Sequence, residues 1–269
     1  MLKICENYAT EHGLQFSTDP NPRKCKTKCI TFVHDNKKLR PMMLCRNPLP
    51  WVEDGKHIGH CIQNVSNGMI YDMKVKRARY IGKNNELLQG FAFAHPLTRI
   101  LTNQIFNCHF TGAPLWDLFC YDFNKIENTY STSVKKMLSI PRETHKYFIE
   151  PLSEQTHIRA VLMKRFLSFI EHLKNSPKKL PLNLFRIFKN DVSSITGSNL
   201  RNIMLNVGKT NIEDLNPTDA DSFVYCPVES ENEWKIEIAK ELLEVQSGCL
   251  QLEHFSFKEV QEMLSFICI

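Results

Sequence analysis

The chain has 269 residues, 42% hydrophobic and 23% charged, a globular composition that excludes a disordered, collagenous or low-complexity protein. Its net charge of +5 is the sum of two opposed regions: residues 1–209 hold 31 Lys and Arg against 16 Asp and Glu, whereas residues 210–269 hold 3 against 13. Ten scattered cysteines do not make a compact disulfide scaffold, and no apolar run reaches the roughly 18 residues needed to span a bilayer, so an intracellular protein, cytoplasmic or nuclear, with no membrane partner is expected.

From the start, Ile4, Tyr8 and later Leu14 recur at helical spacing, and the pattern stops at Gly13. Short extended pieces follow, separated by turn residues: 14–17, 29–33, 39–44, 49–53 and 57–62. They predict a small antiparallel sheet. Between the first two, Asp19-Pro20-Asn21-Pro22 has the chemistry of a tight turn, because proline fixes φ and asparagine tolerates the bend. Beyond Ile70 glycine and proline thin out and the apolar period becomes helical, near 71–93, 97–109, 113–138, 155–174, 180–190, 197–207, 231–247 and 256–267. In 155–174 the residues Ile158, Val161, Leu162, Phe166, Phe169, Ile170 and Leu173 predict a single packed stripe. Residues 208–230 read as a loop separating the basic body from acidic last helices. The expected fold class is α+β, with units at 1–66, 67–207 and 208–269.

Spacing and context argue against several familiar sites. Cys25, Cys29, Cys45, His57, His60 and Cys61 are zinc-ligand types. If residues 24–32 are extended, however, Cys25 and Cys29 stand about 13 Å apart and His57 and His60 face opposite ways, so a single ion cannot reach them unless the stretch is a loop. Val207-Gly-Lys-Thr210 ends like a phosphate-binding loop, but Ile203 stands where its first glycine belongs. Asp219 and Asp221 have no partner base, and no Gly-x-Ser-x-Gly elbow occurs.

Two basic clusters remain. Lys24, Lys26 and Lys28 follow the Pro-Asn-Pro turn. Lys76, Arg79 and Lys83 recur at i, i+3, i+7 with Lys74 and Arg77 beside them, which predicts a positive helix face able to follow a phosphate backbone. A solvated helix face is the plain alternative. In the acidic region, Trp234, Ile238, Leu242 and Val245 could face a protein partner.

Taken in order, the opening helix, Gly13-Leu14-Gln15-Phe16, the turn, Lys24-Cys25-Lys26-Thr27-Lys28, and the hairpin with Lys56-His57-Ile58-Gly59-His60 resemble the end of the palm domain of reverse transcriptases from non-LTR (LINE-type) retrotransposons. HFTGAPLWDL (109–118), PRETHKYFIEPL (141–152), HIRAVLMKRFLSFI (157–170) and TGSNLRNIML (196–205) resemble the region that follows the polymerase there, so the likeness covers nearly the whole chain. It implies a small β-sheet remnant of the palm over 1–66, a helical thumb and connecting region over 67–207, and an acidic helical extension over 208–269. It also implies that Lys26 is a general acid toward the pyrophosphate leaving group, and that His57 and Gly59 belong to a primer grip with Ile58 in place of leucine. Lys24 and Lys28, and Lys74, Lys76, Arg77, Arg79 and Lys83 on the thumb, would then meet RNA or an RNA/DNA hybrid.

The resemblance is incomplete where chemistry happens. A complete enzyme of this kind holds magnesium ions on paired aspartates in an aromatic-x-Asp-Asp turn. No Asp-Asp dipeptide occurs in the sequence. The expectation is therefore a chain without a cofactor of its own, inactive alone as an RNA-directed DNA polymerase, with template-primer binding as its residual property. A co-opted interaction protein, or part of an active enzyme whose aspartates lie upstream, are the alternatives.

Overall fold

The computed structural model describes residues 2–19, 21, 23–31, 40–63, 68–90, 105, 109–145, 148–153, 156–222 and 233–246. The fold is mixed α and β, mainly helical, with two small antiparallel sheets. It divides into two compact units, Met1–Asp72 and Met73–Ile269.

The first unit opens with α1 (Leu2–Glu11). Its one buried residue is Ala9, while Ile4, Tyr8 and the following Leu14 are exposed, so the stripe expected to pack faces solvent in this structure. Strands β1 (Met42–Leu44) and β2 (Asn47–Leu49) form one hairpin, and β3 (Asp54–His57) and β4 (His60–Gln63) form the other. The single expected sheet is thus two separate ribbons, and a parallel bridge between Cys29 and Trp51 ties the segment at residue 29 to the turn between them. Of the expected strand 29–33, residues 32 and 33 lie outside the described residues, as do Pro20 and Pro22 of the turn.

The stretch from Ser17 to Lys28 is not extended, and its hydrogen bonds show why. Asp19 Oδ1 accepts from the Asn21 amide (2.8 Å) and Asn21 Oδ1 from the Arg23 amide (3.0 Å), the local pairing that makes these side chains turn formers. Cys25 is buried, and its thiol donates to the carbonyls of Thr27 (2.9 Å) and Ser17 (3.3 Å). The thiol ties the loop into a knot and holds its lysines outward.

The second unit takes in most of α2 (Gly68–Gly90). It continues with α3 (Tyr121–Leu138), α4 (Ile149–Ser153), α5 (Ile158–Lys174), α6 (Lys179–Asn190), α7 (Ile195–Asn206) and α8 (Glu233–Gln246). These match the expected helices to within a few residues, except that 113–120 form a 3₁₀ turn and loop before α3 and that α4 lies where no helix is expected. Most of the expected helix at 97–109, and all of that at 256–267, lie outside the described residues.

The core of this unit gathers Tyr80, Phe110, Trp116, Phe123, Phe148 and Phe166. α5 is its axis. Leu162, Met163, Phe166, Leu167 and Ile170 are all buried while Val161 and Phe169 are not, so the helix is covered on more than the one predicted stripe. Neighbours on several sides explain this: α3, α6, the 3₁₀ turn at Ala113–Leu115 and a second one at Pro217–Ser222. The last of these belongs to the stretch expected to be a separating loop. It packs on α5 instead, with Ala220 buried and Lys164 Nζ donating to Asp221 (2.9 Å).

Two polar devices fix the helices. The buried Asn199 of α7 donates to the Trp116 carbonyl (2.6 Å) and accepts from the Leu118 amide (3.0 Å), clamping a loop some 80 positions away in sequence. Arg159 grips Glu127 through two bonds, Nε to Oε1 (2.6 Å) and Nη2 to Oε2 (2.8 Å), between α5 and α3. Gly197 admits no side chain, since a Cβ there would meet the Asp191 carbonyl oxygen at 2.0 Å.

Candidate functional site

In the first unit the knotted loop and the β3–β4 hairpin together line a surface concavity of about 480 Å³. Lys26 and Lys28 come from the loop, and Lys56 and His57 from β3. Cys25, Ile30, Gly55 and Ile62 complete the described lining. Gly55 lets Ile30 lie close: an added Cβ would stand 3.1 Å from its Cδ1. Lys26, Lys28 and Lys56 are all exposed, and no carboxylate is among the described lining residues. Three ammonium groups around one hollow, with no carboxylate in its described wall, give it a positive charge of the kind that attracts anions.

The hairpin beside it turns in two residues. His57 pairs with His60, and Ile58 and Gly59 both have positive φ, +46° and +83°. That conformation suits the twist of antiparallel strands but favours Asn-Gly, and a β-branched residue in it is strained by about 1–2 kcal/mol. Ile58 is nevertheless held there, 84% exposed. The base of the hairpin is secured from α2, where the fully buried Asp72 accepts the Cys61 amide on Oδ1 (2.8 Å) and faces His60 Nδ1 through Oδ2 (3.4 Å).

The residues singled out from sequence divide accordingly. Lys26, Lys28 and His57 meet in the concavity. Lys24 is exposed but outside its lining, and Gly59 is at the hairpin tip. Lys56 is the residue that sequence reasoning passes over. In sequence it is only one letter of the hairpin motif, yet it belongs to the same wall as His57.

On α2 the expected basic face is corrected. Lys74, Arg79 and Lys83 are exposed, but Lys76 is only 5% exposed and sits 5.5 Å over the Trp116 ring. The buried residues Met73, Lys76, Tyr80, Asn84 and Leu87 trace the packing stripe of the helix, and Lys76 falls on it. Its alkyl stem fills core space and its ammonium meets an aromatic face. Arg77 is half-buried and donates from Nε to Thr129 Oγ1 (2.6 Å), and Lys83 pairs with Glu86 (2.5 Å). Three exposed cations remain, not a five-residue track.

The acidic helix α8 buries Ile236, Ala239, Leu242 and Leu243 and packs on α4. Leu242, one of the four side chains expected to contact a partner, is thus buried within its own unit. The side chains of Trp234 and Val245 lie outside the described residues.

As chemistry, the concavity can hold anions and has little else. The thiol in its lining, on Cys25, is buried and donates to two carbonyls, so it is not placed as a nucleophile. Burial pushes the neighbouring Cys29 thiol up, away from the reactive thiolate, with Cys25 adding to the effect. The lining side chains do not suit a magnesium ion, which is held by oxygen ligands. Among the described residues no group of three or more His, Cys, Asp or Glu side chains converges as a metal site, and no helix is long and apolar enough to cross a membrane. Comparison with known protein families, with curated proteins and with solved structures finds no significant match.

Proposed function

We propose that this chain corresponds to the end of the palm, the thumb and the following region of a non-LTR retrotransposon reverse transcriptase, and that its own activity is binding the phosphate backbone of a template-primer hybrid without catalysis. The observation that carries this reading is the concavity lined by Lys26, Lys28, Lys56 and His57. Point charges on flexible stems recognise phosphate without reading sequence, as a surface that must slide along a duplex requires. The strained, exposed Ile58 beside Gly59 supports the primer-grip role, because strain of this kind is retained where a conformation is used. The missing aspartate pair limits the proposal to binding.

The test is binding of a fluorescent RNA–DNA hybrid across a salt series, comparing the wild-type chain with a Lys26→Ala, Lys28→Ala, Lys56→Ala variant. Removing one phosphate-neutralising lysine should reduce the slope of log affinity against log salt by about 0.9, so removing three reduces it by roughly 2.7. At 0.1 M salt that amounts to about a 500-fold fall in affinity from counterion release alone. Equal slopes for the two proteins would refute the concavity as the interface.

A further inference from the structure

The second unit has its own concavity, a cleft of about 260 Å³ between α2 and α3, walled by Arg77, Ile81 and Asn84 from α2 and by Thr129, Ser133 and Lys136 from α3, among others. No carboxylate is among its described lining residues. Asn84 is 3% exposed, and neither its amide oxygen nor its amide nitrogen has a hydrogen-bond partner. The Tyr80 phenol comes near both the Asn84 amide and the Ser133 hydroxyl, at a geometry too loose to satisfy the amide. A buried amide left open on both sides is costly, and native structures seldom retain one unless something else satisfies it. Room is not limiting: at ~30 Å³ per water the cleft would hold roughly eight, so it is larger than a trapped water needs.

The geometry gives the occupant its shape. Arg77 is bonded to Thr129, and about one turn further along each helix the Tyr80 phenol comes near Ser133, so the two helices run side by side in the same direction, with Asn84 one turn beyond Tyr80. Seven residues at 1.5 Å each put Arg77 about 10 Å from Asn84 along the axis. At one end stands a guanidinium suited to a phosphate. At the other stands an amide that offers an acceptor and a donor side by side, the complement of the edge of a nucleobase. Ile81 lies between them and provides an apolar surface for a ring. We propose that this cleft binds a free nucleoside monophosphate, with its phosphate at Arg77 and its base edge on Asn84. The site is separate from the lysine concavity, and the proposal does not depend on that reading.

The experiment is calorimetric titration and thermal melting of the full chain with each of the four ribonucleoside monophosphates, with inorganic phosphate and with a short single-stranded RNA. The variant is Asn84→Leu, which keeps the volume and removes the amide. At least one nucleotide should bind saturably and raise the melting temperature, while inorganic phosphate should not reproduce the effect. Asn84→Leu should weaken that nucleotide about 5- to 150-fold, the range for one bidentate base contact. Without ligand the variant should melt at or above wild type, because it removes an unpaired amide. The proposal is overturned if no nucleotide binds, if only the RNA strand binds, if the variant binds as well as wild type, or if the ligand-free variant is destabilised.

Discussion

Replacing Asn199 with alanine should weaken the helical unit more than its small change in size suggests. Asn199 is completely buried, and its amide makes two bonds to the loop that carries the buried Trp116, at 2.6 and 3.0 Å. Truncation strips a partner from a buried carbonyl and from a buried amide, at about 1–2 kcal/mol each, and leaves a small cavity worth about 1 kcal/mol more. The total is about 3–5 kcal/mol. For a unit of this size each kcal/mol lowers the melting temperature by about 2–4 °C, so a fall on the order of 10 °C is expected. Urea unfolding followed by tryptophan fluorescence is the assay, and the midpoint should fall with the slope m unchanged. Asn202→Ala serves as the control, since that half-buried side chain reaches Ser198 only at 3.5 Å, and it should cost less than about 0.5 kcal/mol. A change below about 1 kcal/mol for Asn199→Ala would refute the clamp.

Ile58→Asn should stabilise the chain by about 1 kcal/mol, because asparagine accepts positive φ and an isoleucine that is 84% exposed gives up little packing. In the hybrid-binding assay the same variant should bind more weakly than wild type, as stability and use diverge at a strained tip; equal binding would remove Ile58 from the interface. Glu150 gives a pH test. Burial raises its carboxyl above the ordinary value of about 4.5, and its Oε1 has no hydrogen-bond partner. The folded state therefore disfavours the charged form, and stability from this group is present below about pH 4.5 and lost as pH rises through the raised value. Glu150→Gln should accordingly be more stable than wild type at pH 7, with the difference vanishing at low pH in paired denaturation curves.

Much of the helical layout is legible in the sequence because apolar period and turn residues agree along the second unit: α5, α6 and α7 begin and end close to where the sequence places them. What the period cannot supply is environment. Lys76 has the spacing of a basic face with Arg79 and Lys83, but it equally falls on the stripe of Met73, Tyr80 and Leu87, and only the presence of Trp116 decides between them. The Ser17–Lys28 stretch reads as strand and hairpin, whereas its shape is set by the Cys25 thiol and two side-chain-capped turns, interactions with no periodic signature. Ile4 and Tyr8 carry the right spacing for burial and stay exposed, so pattern alone overstates the packing of α1. Of the residues in the basic concavity, Lys26, Lys28 and His57 come from the family resemblance. Lys56 and the Asn84 cleft emerge only when hairpin register and helix packing bring distant positions together.

The measurement that bears most directly on the basic concavity is lysine acylation footprinting of the full chain, with and without saturating RNA–DNA hybrid at low salt, read residue by residue by mass spectrometry. Lys26, Lys28 and Lys56 should be protected several-fold, exposed Lys178 and Lys179 on the helical unit should react equally in both states, and buried Lys76 should react in neither. A hybrid that binds while Lys26, Lys28 and Lys56 remain fully reactive would contradict the account.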